Sequence, residues 1–256
     1  MIHPSAIVDP TADIADGATI GPFTVIGPAV TIGSGTVVGP HVVIKGPTQI
    51  GVDNRIFQFS SIGEDPQDKK YRGEITRLEI GDRNVIREYS TIHRGTVQDQ
   101  SITRIGDDNL LMAYTHVAHD CMLGNHIIMA NGASLAGHVN VDDFAILGGF
   151  SLVHQFCKIG CYSFSGMGSI ISKDVPPYVM IGGSPTKPRG INALGLERRG
   201  FDAEAVLQVK RAYKLIYKSR LKLEEAIESL AILARDAPAV QPMVDFLQRS
   251  GRSIIR

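Results

Sequence analysis

The stretch Ile20-Gly21-Pro22-Phe23-Thr24-Val25-Ile26-Gly27-Pro28-Ala29-Val30-Thr31-Ile32-Gly33 places an isoleucine at every sixth residue, each followed by glycine. The phase extends back through Ile14, Val8 and Ile2, and forward through Val38, Ile44, Ile50, Ile56 and Ile62. It resumes at Ile80, Ile86 and Ile92 and then slips by one residue. From Ile105 it runs through Leu111, Val117, Leu123, Met129, Leu135, Val141, Leu147, Val153 and Ile159; Ser165 interrupts it and Ile171 restores it. A period of six fits neither an amphipathic helix nor a simple alternating strand. It fits a hexapeptide parallel β-helix, in which each hexad supplies a short strand and a turn. The aliphatic points inward, and a small residue at the corner admits the backbone turn. Three hexads close a triangular coil of about 18 residues, and coils about 4.8 Å apart stack into a prism of roughly eight or nine coils, about 40 Å long. The period itself does not set the handedness.

Two segments break the phase. Residues 63–79, from Gly63-Glu64-Asp65-Pro66-Gln67-Asp68-Lys69-Lys70-Tyr71-Arg72-Gly73 onward, are polar and predict an external loop, a common place for function. The second break, about 97–104, reads equally as a surface bulge or as a functional excursion.

The period fails after Pro176-Pro177, and Gly, Pro and Ser cluster from Gly182 to Gly190. We therefore divide the chain into a solenoid, residues 1–186, and a small helical C-terminal domain, residues 187–256. Asp202 is an N-cap for a helix carrying Val206, Val209, Tyr213, Ile216 and Tyr217 on one face. Further helices fit Leu223 to Ala234 and about Pro238 to Gln248. This domain covers one end of the prism and protects its open edge.

The 256 residues carry 26 basic and 26 acidic side chains, which argues against a general nucleic-acid binder. The charge is uneven: residues 187–256 hold 14 basic and 8 acidic side chains. Lys210, Arg211, Lys214, Lys218, Arg220 and Lys222 fall together with no acid among them. Such a run is a solvated face or a docking patch for an acidic partner. Three cysteines form no disulfide framework, which favours a reducing compartment. No stretch resembles a leader peptide or an integral membrane segment. The expected location is the cytoplasm.

Four of the eight histidines, His116, His119, His138 and His154, fall in one part of the solenoid. An 18-residue coil stacks His119, Gly137 and Gln155 in one column, with His138 and His154 one residue to either side. Segments distant in sequence thus build an imidazole-rich corner. One chemistry is general base catalysis, in which an imidazole takes a proton from a hydroxyl attacking an acyl carbonyl. Asp120 would fix the tautomer of His119, although neighbours on a strand normally point apart. The Gly137 N–H would receive the oxyanion. The other chemistry is zinc held by three imidazoles, as in a trimeric hydratase of the gamma carbonic anhydrase type. Cys121, Cys157 and Cys161 read as small buried hydrophobes.

The chain resembles the UDP-N-acetylglucosamine acyltransferases of lipid A biosynthesis over essentially its whole length. The motifs are Gln67-Asp68-Lys69-Lys70-Tyr71, Thr91-Ile92-His93-Arg94-Gly95-Thr96, His116-Val117-Ala118-His119-Asp120, Leu135-Ala136-Gly137-His138-Val139, Val153-His154-Gln155-Phe156 and Arg198-Arg199-Gly200-Phe201. The resemblance implies a left-handed parallel β-helix followed by a small α-helical domain. It implies a homotrimer with clefts between neighbouring prisms. The reaction implied is transfer of a 3-hydroxyacyl chain from acyl carrier protein to the sugar 3-hydroxyl of UDP-N-acetylglucosamine, with no resident cofactor or metal. His119 then matches the general base, Asp120 its orienting residue and Gly137 the oxyanion donor. Gln67, Asp68, Lys70, His116, His138, His154, Gln155, Asn192, Arg198 and Arg199 match substrate contacts. The acidic carrier would dock on Lys210, Arg211, Lys214, Lys218 and Arg220.

Two positions depart from the family pattern. Leu194 stands where a glutamate near the uridine is frequent. Met167, in Phe164-Ser165-Gly166-Met167-Gly168, stands at the acyl-chain ruler, where glycine admits about fourteen carbons. A methionine there predicts a preference for roughly ten carbons, because a filled pocket rejects longer chains. Met167 falls on a different corner from His119, so the two would share a cleft only across a subunit boundary.

Overall fold

The computed structural model describes residues 1–250 and 253–256. Gly251 and Arg252, within the segment assigned to the helical domain, lie outside the described residues. Short parallel strands stack in three sheets, the three faces of a prism. Face 1 runs through nine strands, from Ile7–Val8 through Val25–Ile26, Val43–Ile44, Ser61–Glu64, Thr91–His93, His116–Val117, Ser134–Leu135 and Leu152–Val153 to Ile170–Ile171. Face 2 has eight strands, from Asp13–Ile14 to Lys158–Ile159, and face 3 has ten, from Thr19–Ile20 to Lys187–Ile191. Register bears out the 18-residue coil: Ile7 pairs with Val25, His116 with Ser134, and Ser134 with Leu152. The hexad aliphatics point inward, and Ile32, Ile44, Ile62, Ile86, Leu111, Val117 and Leu135 are fully buried. Each such side chain contributes about 1.5–3 kcal/mol by leaving water. Ser165, the gap in the series, is also buried, and its hydroxyl bonds the Ser151 hydroxyl at 2.8 Å.

The corners correct one expectation. The residue that turns the chain is rarely small: Phe23, His41, Phe59, Tyr89, Tyr114, Asp120, His138 and Phe156 all have φ between 55° and 65°. This left-handed conformation is strained for bulky residues. Stacking between coils offsets the strain, with Phe23 on His41 at 5.1 Å and Tyr89 on Tyr114 at 4.9 Å. Glycine instead serves the position directly after the aliphatic, where coils approach closely. A Cβ on Gly33 would sit 2.5 Å from the Gly51 carbonyl oxygen.

Both breaks in the phase fall on the edge between faces 1 and 2. Ser61 pairs with Thr91 and Thr91 with His116, so these two coils run to 30 and 25 residues. The first excursion occupies 65–76, because Ser61–Glu64 and Arg77–Ile80 are strands. The second occupies 94–101, between Thr91–His93 and Ile102–Ile105.

At the C-terminal end, Lys187–Ile191 returns antiparallel along Val179–Gly182 and covers the end of face 3. The helices therefore begin only after a strand that belongs to the prism. They are α1 (Ala193–Arg198), α2 (Ala203–Tyr217), α3 (Leu223–Ala234) and, after a short 3-10 turn at Pro238–Val240, α4 (Gln241–Arg249). The Asp202 side chain caps α2 by accepting from the Ala205 N–H at 2.8 Å, as expected. Nothing in the sequence pattern points to α1, a turn and a half held by its Asn192 cap. Among the described residues no helix is long and apolar enough to cross a membrane.

Candidate active site

The column expected from the 18-residue repeat forms on the edge between faces 1 and 2. His119, Gly137 and Gln155 follow the strands His116–Val117, Ser134–Leu135 and Leu152–Val153. Successive corners are tied by backbone bonds: the His138 N–H donates to the His119 carbonyl at 3.0 Å and the Phe156 N–H to the Gly137 carbonyl at 3.1 Å. Gly137 lies directly against the imidazole of His119. A Cβ built on it would sit 2.6 Å from Cε1 and 2.8 Å from Nε2. Glycine here makes room for the ring.

Asp120 does reach its neighbour, and the corner explains how. With φ at 58° the chain turns at Asp120, so its side chain does not point away from that of His119. His119 Nδ1 and Asp120 Oδ2 are 2.9 Å apart. The carboxylate is buried and fully held: the Thr96 N–H donates to Oδ1 at 2.9 Å and the Thr96 hydroxyl to Oδ2 at 2.6 Å. Burial pushes this carboxyl up, but the bonds from His119 and Thr96 outweigh it and hold Asp120 below its ordinary range. An ionised Asp120 accepts the Nδ1 proton and leaves His119 Nε2 as the basic atom.

The Gly137 N–H is spare for a reason visible in the repeat. Pro4, Pro10, Pro22, Pro28 and Pro40 occupy the same hexad position, which the fold therefore does not need as a donor. Among the described residues the Gly137 N–H has no backbone acceptor.

Other site residues gather on the same edge. The excursion with Gln67, Asp68 and Lys70 lies there, anchored by Arg94, which bonds the Gly63 carbonyl, Asp65 and the Tyr71 hydroxyl. His154 and Gln155 are exposed one coil beyond Gly137. His116 stands on the outer side of face 1, its Nδ1 2.7 Å from the Thr91 hydroxyl, and burial followed by its neighbour His119 lowers its pKa. His93 packs edge-on against His116 at 5.1 Å.

Three groups of residues lie elsewhere. Met167 is 79% exposed on the edge between faces 3 and 1, beside exposed Phe150, Leu152 and Ile170. Asn192, Arg198 and Arg199 lie near the edge between faces 2 and 3. Asn192 is already occupied, accepting from the Gly195 N–H at 3.2 Å and donating to the Tyr162 carbonyl at 3.0 Å. The Arg199 guanidinium lies 4.8 Å over Phe144, and Leu194 is exposed on α1. Lys210, Arg211 and Lys214 are exposed on α2, with Arg211 3.7 Å from Glu204. Lys218 and Arg220 line a separate cleft with Lys187, Tyr217 and Arg256. The expected residues thus occupy three edges and one end of the prism.

Thr103, whose hydroxyl accepts from the Asp120 N–H at 2.8 Å, and Asp99 have no signal in the sequence beyond the slip in phase, and Thr96 stands there only as the last residue of a motif. Among the described residues, metal-ligand atoms lying within 4.8 Å of one another belong to His119, Asp120 and His138. These are two imidazoles and a carboxylate. The three-imidazole set of the zinc reading does not assemble within one chain.

His93 supports a stability prediction. It is buried, its Nδ1 lacks a partner, and burial followed by His116 lowers its pKa to about 4 from 6.5. The unfolded chain therefore binds the extra proton first, and stability falls as pH drops from 6.5 toward 4. The loss reaches about 3 kcal/mol for this group. Urea unfolding at matched protein concentration between pH 7 and pH 5 should show the decline, and His93→Gln should flatten it. An unchanged slope in the variant would refute this assignment.

Comparison with known proteins places these features in context. The family described as UDP N-acetylglucosamine O-acyltransferase, domain 2, matches residues 174–255. The bacterial transferase hexapeptide family (six repeats) matches residues 11–46. An acyl-[acyl-carrier-protein]--UDP-N-acetylglucosamine O-acyltransferase from Halorhodospira halophila is 56% identical over 255 residues, 100% of this chain and 99% of its own. The structure of Francisella novicida UDP-N-acetylglucosamine acyltransferase superposes with a TM-score of 0.99 at 44% identity, covering 100% of this chain and 94% of the other. That of the UDP-N-acetylglucosamine O-acyltransferase from Moraxella catarrhalis gives 0.98 at 48% identity, covering 100% and 99%. The fold shared with such neighbours is the left-handed parallel β-helix with a small C-terminal helical region.

Proposed function

The chain belongs to the UDP-N-acetylglucosamine O-acyltransferase family, and from that premise we propose that it moves a 3-hydroxyacyl chain from acyl carrier protein to the 3-hydroxyl of UDP-N-acetylglucosamine, the first step of lipid A biosynthesis. The observation that carries the chemistry is the His119–Asp120 pair with Gly137, whose N–H has no backbone acceptor, packed against the imidazole.

His119 Nε2 takes the proton of the sugar hydroxyl as its oxygen attacks the carrier's thioester carbonyl. The C–O bond forms, and negative charge collects on the carbonyl oxygen, where the Gly137 N–H receives it. Collapse breaks the C–S bond, and the imidazolium returns its proton to the departing thiolate. Asp120 stays ionised and stabilises the imidazolium in between. The acyl group arrives already activated, so the reaction needs no resident cofactor. The zinc-hydratase reading gains nothing from the matched relatives.

The distribution of the other residues supports a homotrimer. Met167 and the Asn192–Arg199 segment sit on edges that cannot meet His119 within one convex prism. Packing of copies side by side around a closed axis brings different edges into one cleft. The exposed strip of Phe150, Leu152, Met167 and Ile170 then lines the acyl side. Exposed Lys210, Lys214, Lys218 and Arg220 suit an acidic carrier protein. Such a reaction belongs in the cytoplasm, where carrier and nucleotide sugar meet.

Met167 sets the chain length in this reading. Its high exposure argues against a packing role within its own chain. The expected result is that the wild type prefers ten-carbon donors and that Met167→Gly shifts the preference toward fourteen, by roughly tenfold or more in relative kcat/KM. Competition between ten-, twelve- and fourteen-carbon donors measures it. An unchanged preference would sink the ruler.

A further inference from the structure

The excursion at 94–101 reaches across two coils. An ordinary corner has four residues between strands, as at 118–121 between His116–Val117 and Met122–Leu123. The extra length lets this segment serve two partners. Thr96 meets Asp120 on the next coil, and Asp99 extends to His138 on the one after, with Oδ2 2.8 Å from Nδ1. The segment is held in place by Gly95, whose N–H donates to the Arg77 carbonyl at 3.3 Å, and by bonds from Asp99 and Ser101 N–H to the Thr96 carbonyl.

His138 is confined on its remaining sides. Its ring stacks on Phe156 at 4.4 Å and 10°, and meets His119 edge-on at 5.1 Å and 89°. Its Nε2 lies 3.9 Å from Asp120 Oδ2, too far for a hydrogen bond. With Nδ1 turned to Asp99, Nε2 is the ring atom beside the His119–Asp120 pair.

We propose that Asp99 is a positioning residue: by accepting the Nδ1 proton of His138 it fixes the Nδ1–H tautomer and presents an unprotonated Nε2 to the site as an acceptor for a substrate hydroxyl. The identity of that hydroxyl as the sugar's rests on the transferase reading; the tautomer does not. Asp99 is 39% exposed at its side chain, so solvent screens its charge, and its contribution is geometric rather than a strong ion pair. The excursion thus orients both members of the corner, Asp120 through Thr96 and His138 through Asp99.

The test uses full-length protein with ¹⁵N-labelled histidine, the His138 signals being assigned through His138→Gln. In mildly alkaline buffer the wild type should show Nδ1–H at His138. Asp99→Asn, whose amide oxygen still accepts, should keep it, and Asp99→Ala should shift it toward Nε2–H. In steady-state transfer, Asp99→Ala should raise KM for UDP-N-acetylglucosamine about five- to tenfold with kcat altered less than about threefold. Asp99→Asn should restore most of the loss, and Asp99→Ala should add nothing in a His138→Gln background. An unchanged tautomer in Asp99→Ala would overturn the proposal, as would an equal effect of Asp99→Ala in the His138→Gln background. Absence of transfer by the wild type would overturn the transferase reading alone, because the tautomer is read without turnover.

Discussion

His119→Ala should lower acyl transfer by about a thousandfold, the range of a positioned general base, while leaving the melting transition nearly unchanged. The stability half of this expectation follows from where the ring sits. It lies on the outside of a corner, whereas the interior at that level is held by Val117, Leu135 and Val153. Removing the imidazole therefore opens no cavity in the core. It does remove the proton acceptor, and it leaves Asp120 with its bonds from Thr96 intact. Steady-state transfer and a thermal melt on the same preparation check both halves. Activity within tenfold of wild type would assign the proton transfer to another group.

The second large effect is steric. Gly137→Ala should lower kcat by about a hundredfold, the penalty for displacing a catalytic group by about 1 Å. A Cβ at this position would overlap His119 Cε1 and Nε2, at 2.6 and 2.8 Å. The three atoms nearest that Cβ all belong to the ring, which can move more readily than backbone, so stability should fall little. The ring must swing, and its 2.9 Å contact with Asp120 breaks. The expected signature is a fall in kcat without a comparable change in melting. Comparable loss of stability would mean that Gly137 serves coil packing. Full activity would mean that His119 does not work from the position described.

These two predictions draw on different depths of reading. The stacking of His119 under Gly137 follows from an 18-residue coil, and the coil follows from the period of isoleucines. The convergence of His119 and Asp120 does not, because strand alternation predicts that neighbours diverge. It needs a non-glycine residue held at positive φ, and Asp120, His138 and Phe156 all adopt that conformation at this edge. Such strain is offset between segments distant in sequence, by ring stacking at His138 and Phe156 and by the bonds from Thr96 and to Thr103 at Asp120, tertiary effects that no local pattern records.

The excursions illustrate the same boundary. Their existence is legible as lost phase, but their placement on the His119 edge requires knowing which hexad belongs to which face. The slip after Ile92 reads equally as a bulge or as a functional excursion until the chain is coiled, when Thr96 and Asp99 come to lie against Asp120 and His138. At the C-terminal end, only the family resemblance marks Asn192 as a substrate contact. In the fold its amide caps α1 and holds the Tyr162 carbonyl, a role that the local sequence does not announce.

The candidate residues are spread over three edges, and under the proposed homotrimer they would meet between copies of the chain. The one edge complete in itself is that of His119, Asp120, Gly137 and His138, and the chemistry assigned there can be tested without knowing the assembly.

The most direct test is transfer of label from radiolabelled UDP-N-acetylglucosamine into acylated product, with 3-hydroxyacyl carrier protein as donor and chelator in parallel samples. The account predicts an ester at the sugar 3-hydroxyl, formed at the same rate with and without chelator. No acylated sugar with any donor length, or transfer that collapses on chelation, would contradict it.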